Sequence, residues 1–428
     1  MKSLPARLSA CLRSASRGAL WWALAAGLLT TVPLATAQPR KDSAVLAMTL
    51  EPPGLDPTAG AASAIAEITL YNIFETLTRV PSDGRPVPLL AESWTASPDL
   101  RVWTFRLRQG VKFHNGEPFD AATVKFAFER AAAAGSANKD RATFANIDGI
   151  ATPDAHTVVL TLKNGNPDLP FQLGQATAVM VEPKSAAGNA TQPVGTGPYR
   201  LDSWARGSSV TLLRWDGHRN AKSVALRRVT MRFISDPAAQ VAALLSGDVD
   251  AFPRVSAARS LGAFGNRARF QVLVGGSRAK TILAMNHKRK PLDDVRVRQA
   301  ISSAIDRAAV VEGAADGYGV PIGSYYVPGA PGFIDTTAIN AYDPARSRAL
   351  LTRAGVALPL DLTLKLPPPP YARQGGEVIA AMLAKVGINA KIENVEWAQW
   401  LSAVYGQKAY DLTIISHVEP LDFGNFAR

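Results

Sequence analysis

Trp103-Thr-Phe-Arg-Leu-Arg-Gln-Gly-Val-Lys-Phe-His-Asn-Gly116 is the stretch that decides the fold. Trp103, Phe105 and Leu107 alternate with Thr104, Arg106 and Arg108. That period of two describes a strand with one apolar face. Asn115-Gly116 supplies a two-residue turn that favours positive φ. Downstream, Asp120 stands where it can cap a helix running through Val124 and Phe128. By pattern alone this is an α/β unit.

Working outward, the same signals divide the rest of the chain. Ala44 to Leu50 reads as a strand, and Pro52, Pro53 and Pro57 force an extended turn after it. Ala66, Leu70, Phe74 and Leu77 recur at helical spacing. Strands are expected over 157–162, 199–204, 209–214, 228–234 and 280–286. Asp236-Pro237 opens a helix that Gly247 ends. Beyond residue 280 helices and strands alternate: helices over 294–307, 344–355 and 377–386, strands over 360–366, 388–394 and 411–415, and a helix from Trp397. A β-α-β succession implies a mostly parallel sheet with helices on its faces.

The wording of several segments goes further. Glu51-Pro-Pro-Gly-Leu-Asp-Pro57, Leu89-Leu-Ala-Glu-Ser-Trp94 and Phe105-Arg-Leu-Arg-Gln-Gly-Val-Lys-Phe-His-Asn-Gly116 occur in that order. Pro193-Val-Gly-Thr-Gly-Pro-Tyr199, Leu245-Ser-Gly-Asp-Val-Asp250 and Asp294-Val-Arg-Val-Arg-Gln-Ala-Ile-Ser302 follow. From about residue 44 to its end the chain resembles the peptide- and nickel-binding solute receptors of ABC transporters, family 5 of the solute-binding proteins. The resemblance implies a two-lobed α/β fold of the type II periplasmic-binding-protein class, with a small insert subdomain in the first lobe. Its implied division is 1–37 signal peptide, 38–80 and 193–275 first lobe, 81–192 insert, and 276–428 second lobe. Chains of this family usually continue further, so the second lobe is expected to be incomplete and one edge of the first-lobe sheet open.

The N-terminus fits export. Lys2, Arg7, Arg13 and Arg17 precede an apolar run of 14 residues, Ala19 to Val32, and Ala35-Thr-Ala37 fits a cleavage site. The run is short of the roughly 20 residues a membrane span needs. Leu8-Ser-Ala-Cys11 resembles a lipoprotein box but lacks an apolar run before it. Cys11 is the one cysteine and would leave with the signal, which excludes disulfides, zinc-thiolate sites and thiol catalysis in the mature chain. The net charge of +12 falls to +8 when the four leader cations leave. The excess is scattered over Arg206, Arg214, Arg219, Arg227, Arg228, Lys288, Arg289 and Lys290. No basic helix carries interleaved aromatics, so this reads as a solvated surface and not as a nucleic-acid interface.

Enzyme signatures are absent from the sequence. His114, His156, His218, His287 and His417 have no metal-binding spacing, and no nucleophile elbow or phosphate loop occurs. A secreted peptide hydrolase and a sensory or chaperone-like binding protein are the rival readings; the first would need a nucleophile–base pair. A binding cleft fits better, because a micromolar ligand needs only about 8 kcal/mol.

Candidate ligand contacts are Leu55 and Asp56 on one side, and Tyr371, Ser416, His417, Glu419 and Asp422 on the other. Each has a rival role: Asp56 as a turn cap, Tyr371 as packing, Asp422 as a cap, Glu419 as a solvated group. Trp397 and Trp400 read as core. By the resemblance, peptide-binding relatives place an aspartate three residues after a tryptophan to receive the ligand's amine. Here His417 takes the aromatic place, and Glu419 or Asp422 must serve as the acid. Dipeptide-binding relatives use an arginine before a Pro-Tyr pair for the peptide carboxylate. Here prolines precede Pro370-Tyr371 and Arg373 follows, which puts a free-dipeptide specificity in doubt. The resemblance further implies a periplasmic monomer that partners an ABC permease and takes a peptide, a metal chelate or an oligosaccharide; the few histidines argue against directly bound nickel, and no cofactor or nucleic acid is expected.

Overall fold

The computed structural model describes residues 41–255, 258–330 and 332–417 of the chain. The expected leader and both Glu419 and Asp422 lie outside the described residues.

The chain opens with β1 (Ser43–Met48), α1 (Ser63–Thr69) and the short pair β2 (Thr78–Arg79) and β3 (Val87–Pro88). The helical spacing from Ala66 to Leu77 is not one helix. Leu70 is extended, and Tyr71 turns to φ 60°. Tertiary bonds override the period there. The Tyr71 hydroxyl donates to the Gly174 carbonyl at 2.9 Å and accepts from the Val80 amide at 3.1 Å.

An antiparallel sheet follows, from β4 (Ala91–Ala96), β5 (Val102–Leu107), β6 (Ile147–Asp154) and β7 (Thr157–Leu162), in the order β4-β5-β7-β6. Trp103, Phe105 and Leu107 are buried and their neighbours face outward, as the alternation requires. α2 (Ala121–Ala132) and α3 (Arg141–Ala145) belong to the same region. Asp120 caps α2 by accepting from the Thr123 amide at 2.9 Å. Gly116 does adopt φ 91°, but its turn closes a separate small hairpin in which Lys112 faces Pro118.

After α4 (Leu169–Gln172), β8 (Tyr199–Ala205), β9 (Ser209–Arg214) and β10 (Arg228–Phe233) return to β1. The order is β1-β10-β9-β8, with β1 parallel to β10. The far side of β1 is partly covered, since the Ala47 amide donates to the Ala251 carbonyl at 2.9 Å. α5 (Pro237–Ser246) is capped by Asp236 and ends at Gly247, φ 85°.

The second half contains β11 (Lys280–Met285), α6 (Val295–Ala304), α7 (Arg307–Ala315), α8 (Pro344–Arg353), β12 (Leu360–Leu366), α9 (Pro370–Ala384), β13 (Ile388–Asn394), α10 (Trp397–Gln399) and β14 (Leu412–His417). The sheet order is β11-β14-β12-β13; β12, β13 and β14 run parallel and β11 antiparallel. Two expected boundaries shift. The helix over 294–307 breaks at an extended Ile305, because Asp306 caps a new helix through the amides of Ala308 and Ala309. α9 begins at Pro370, not Glu377; proline at the first helical position has its φ pre-set and no amide to satisfy.

Beside smaller clusters around Ala243 and around Trp400, two large apolar cores result. One unites β1, α1, α2 and the strands β4, β5, β7, β9 and β10. The other unites α6, α8 and α9 with β12, β13 and β14. Each is a lobe with its own interior.

Candidate functional site

Between these two cores lies a cleft of about 2220 Å³. One wall is the Thr49–Pro53 segment and the start of α1, extended by Asp140, Phe144, Phe171 and Thr177. The other is the start of α9, the segment from Trp397 to Tyr405, and the end of β14.

The structure brings three of the expected contacts together. Tyr371 stands in the first turn of α9, and Ser416 and His417 end β14; all three line the cleft. Burial pushes the Tyr371 phenol above its ordinary value, against a hydrogen bond from the Ser416 main chain that pulls the other way. This phenol is therefore a neutral hydrogen-bonding group at neutral pH.

Leu55 and Asp56 do not line the cleft. Leu55 is fully buried in the first core. Asp56 is buried and spent: it accepts from the Thr58 amide at 2.8 Å and hydroxyl at 2.6 Å, and pairs with Arg130 at 3.1 Å. It ties the proline turn to α2, which favours its rival role as a turn residue. Arg373 is not a cleft residue either, since its guanidinium pairs with Glu396 at 3.2 Å.

Sequence reading missed an aromatic wall. Trp397, Trp400, Tyr405 and Tyr410 all line the cleft. Trp397 and Trp400 meet edge to face at 5.7 Å, and Trp400 stacks on Tyr405 at 6.2 Å. The Trp400 indole donates to Thr413 at 3.0 Å, fixing the wall to β14. Trp400 is buried, as its reading as core required, yet it also presents to the cleft. The segment from Trp400 to Gly406 is wound as a π-helix. In an α-helix, residues five apart point about 140° away from each other. The wider turn brings Trp400 and Tyr405 onto one face, so an α-helical period could not reveal the pair.

Two of the cleft cations are held in ion pairs and two more lie over aromatic rings. Arg254 pairs with Glu67, and Arg259 with Asp316. Arg206 lies over the Trp204 ring at 3.4 Å, and Lys408 over Tyr405 at 4.6 Å. A ligand thus meets aromatic surface on one wall, polar groups at the β14 end, and charged side chains such as Glu51, Asp140, Arg278 and Glu377 around them. Among the described residues no cluster of three metal-ligating side chains exists.

A buried ionisable cluster lies outside the cleft, beside the motif residues His114 and Gly195–Gly197. Glu75 takes both Arg219 Nη atoms at 2.6 and 2.8 Å and the Thr196 hydroxyl at 3.0 Å. Burial opposes its charge, but Arg219 and His218 outweigh burial and hold the carboxyl below its ordinary range. Burial lowers the His114 pKa to about 4. The neutral ring accepts from the Gly195 amide at 3.3 Å through Nδ1 and donates to the Gly197 carbonyl at 3.0 Å through Nε2. A methyl group at Gly195 or Gly197 would strike the carbonyls of Ile73 and Asn72. These groups staple the small hairpin to the Gly195–Tyr199 loop; none lines the cleft. Tyr199 packs on the first core and its hydroxyl donates to the Leu226 carbonyl, in keeping with its core assignment.

Comparison with known proteins agrees with this architecture. Residues 85–420 match the profile of the bacterial extracellular solute-binding proteins, family 5 (middle). A putative ABC transporter peptide-binding protein of Brucella ovis is 31% identical over 334 residues, covering 74% of this chain. The match spans 62% of that relative's length. A glutathione-binding protein, GsiB, of Salmonella paratyphi A is 29% identical over 392 residues, covering 90% of this chain and 76% of its own. The binding protein AgaA of A. tumefaciens R10, solved with agropinic acid, superposes with a TM-score of 0.78 at 29% identity, over 90% of this chain and 79% of that one.

Proposed function

We propose, for a chain that belongs to the family 5 bacterial extracellular solute-binding proteins, the role of periplasmic receptor for an ABC importer. It captures a small solute between its lobes and hands it to a membrane permease. The observation that carries this reading is the cleft itself: two separate cores face each other across about 2220 Å³ walled by aromatic side chains. The sheet memberships support a first lobe built on β1 and β8–β10, an insert built on β4–β7 and a second lobe from 276 onward, with β2 and β3 pairing across the expected boundary at 80.

A peptide is the favoured ligand class. Of the proteins named above, one is named a putative peptide-binding protein and one a glutathione-binding protein, glutathione being a tripeptide, while AgaA was solved with agropinic acid. The aromatic wall supplies stacking surface, and the Tyr371–Ser416–His417 corner supplies polar contacts. Glu419 or Asp422, two and five residues beyond β14 in the chain, is assigned as the acid that receives a ligand amine. With Arg373 committed to Glu396, no arginine beside Pro370-Tyr371 fixes a peptide carboxylate. This favours peptides whose terminal carboxylate is not clamped there.

Catalysis has no part in this reading. Ligand must favour the closed arrangement of the lobes over the open one, or occupancy would not be signalled to the permease. Calorimetric titration with a peptide pool, followed by X-ray scattering on the best ligand, tests it. Saturation should shrink the radius of gyration. Tight binding with an unchanged radius would count against a closing receptor.

A further inference from the structure

We infer that the outer surface of the α6–α8 layer docks on an anionic phospholipid bilayer. The cations involved are far apart in sequence, and the fold gathers them. Arg296 donates to the Arg353 carbonyl at 2.8 Å, joining the start of α6 to the end of α8. Arg348 reaches the Lys385 carbonyl at 3.4 Å, joining α8 to the end of α9. The exposed run Lys288-Arg289-Lys290 leads into α6.

The charge on this face is only partly compensated: Asp293, Asp294, Asp343 and Asp411 stand among its cations, which outnumber them. Arg298 spends its hydrogen bonds on the carbonyls of Leu292 and Asp293, at 2.8 and 3.0 Å. Arg346 spends one on the Ile339 carbonyl at 3.2 Å. A carbonyl holds a guanidinium in place without cancelling its charge. Several arginines elsewhere face carboxylates, among them Arg130 with Asp56, Arg214 with Asp216, Arg219 with Glu75 and Arg228 with Asp202, while Arg101 and Arg269 bond carbonyls as these do. In this group, among the described residues, only Arg289 and Arg296 make ion pairs, with Asp411 and Asp294.

A bilayer fits this surface. Lys288, Arg348, Arg353 and Lys385 are exposed. Arg348 and Arg353, five apart on α8, stand on opposite flanks of that helix, towards α9 and α6 respectively, so the cations spread across the layer. Val295 and Leu358 stand 51% and 46% exposed beside them and offer small apolar contacts to headgroups. None of these residues lines the cleft, so docking leaves it open to ligand. Each cation near an anionic surface raises partitioning roughly fivefold, and salt screens the effect. The inference rests on the receptor reading in one respect: that the protein works beside a membrane.

The test is flotation of the periplasm-recovered protein with vesicles of phosphatidylcholine alone or containing phosphatidylglycerol. Binding should need phosphatidylglycerol and fall steeply with salt. The triple variant R348Q/R353Q/K385Q should lose at least about tenfold in partitioning. A charge-matched triple on other surfaces, K112Q/K163Q/K222Q, should lose much less. Equal loss in both triples, equal binding to neutral vesicles, or capture only by detergent-solubilised permease would overturn the inference. If the first triple melts early, wild-type dependence on phosphatidylglycerol and salt still decides. Vesicle binding without any solute binding would tell against the receptor and leave this surface standing; solute binding without vesicle binding would do the reverse.

Discussion

Glu75 and Arg219, 144 residues apart in sequence, meet in a buried two-pronged ion pair. The pair locks the turn after α1 to the segment after β9. Breaking a buried pair leaves an uncompensated charge, so Glu75→Gln is expected to cost about 3 kcal/mol in urea unfolding. The folded Glu75 carboxyl lies below its ordinary range. Its contribution is therefore complete above the unfolded value of about 4.3 and lost only as pH falls below that.

His114 sets a different pH window. Its folded pKa of about 4 is below the ordinary 6.5. Between these values the unfolded chain binds a proton that the folded chain does not, so stability falls as pH drops from about 6.5 to about 4. The full swing is on the order of 3 kcal/mol. Chemical denaturation across that range should show this slope, and His114→Gln should flatten it.

Gly195→Ala and Gly197→Ala should each destabilise by about 2 kcal/mol or more, since the added methyl meets backbone carbonyls that cannot move aside cheaply. Thermal melting checks this. A melting point within a degree of wild type would refute the close packing of this loop.

Asp56→Asn separates turn from cleft. The carboxylate is committed to Thr58 and Arg130. The variant should melt earlier, by about 2–3 kcal/mol of stability, yet bind ligand with unchanged affinity. A selective loss of affinity would return Asp56 to the ligand site.

Tyr405→Ala removes a half-exposed aromatic from the cleft wall at little cost to stability. Ligand affinity should fall by about fivefold or more, read by calorimetry. The double variant E419Q/D422N should weaken ligands with a free amine by about tenfold or more and spare N-acetylated ones. Unchanged affinity for both ligand forms would remove these acids from the site.

Much of the fold was legible because its elements declare themselves locally. β7, β12 and β13 occupy the predicted ranges, where apolar alternation or β-branched runs lie between turn residues. Asp236, Asp294 and Asp343 each cap a helix, as their place before an apolar period implies. Failures occur where distant contacts decide. Tyr71 abandons its helix for Gly174 and Val80, and Asp306 competes successfully for two amides in mid-period.

The site was harder to read than the scaffold. Two of the motifs that carried the resemblance, around His114 and Gly195, are tied to each other inside the first lobe and away from the cleft. Tyr371, Ser416 and His417 were visible because they stand at element ends. The π-wound segment from Trp400 hid its aromatic face from any search at helical period. Asp56 looked like a cleft residue until its long-range partner Arg130 appeared.

The receptor claim is tested most directly by native mass spectrometry of the protein recovered from a periplasm. The account predicts a discrete added mass, in the range of a short peptide, that leaves on mild unfolding. Folded protein with no added mass, unmoved by saturating peptide pools, would contradict it.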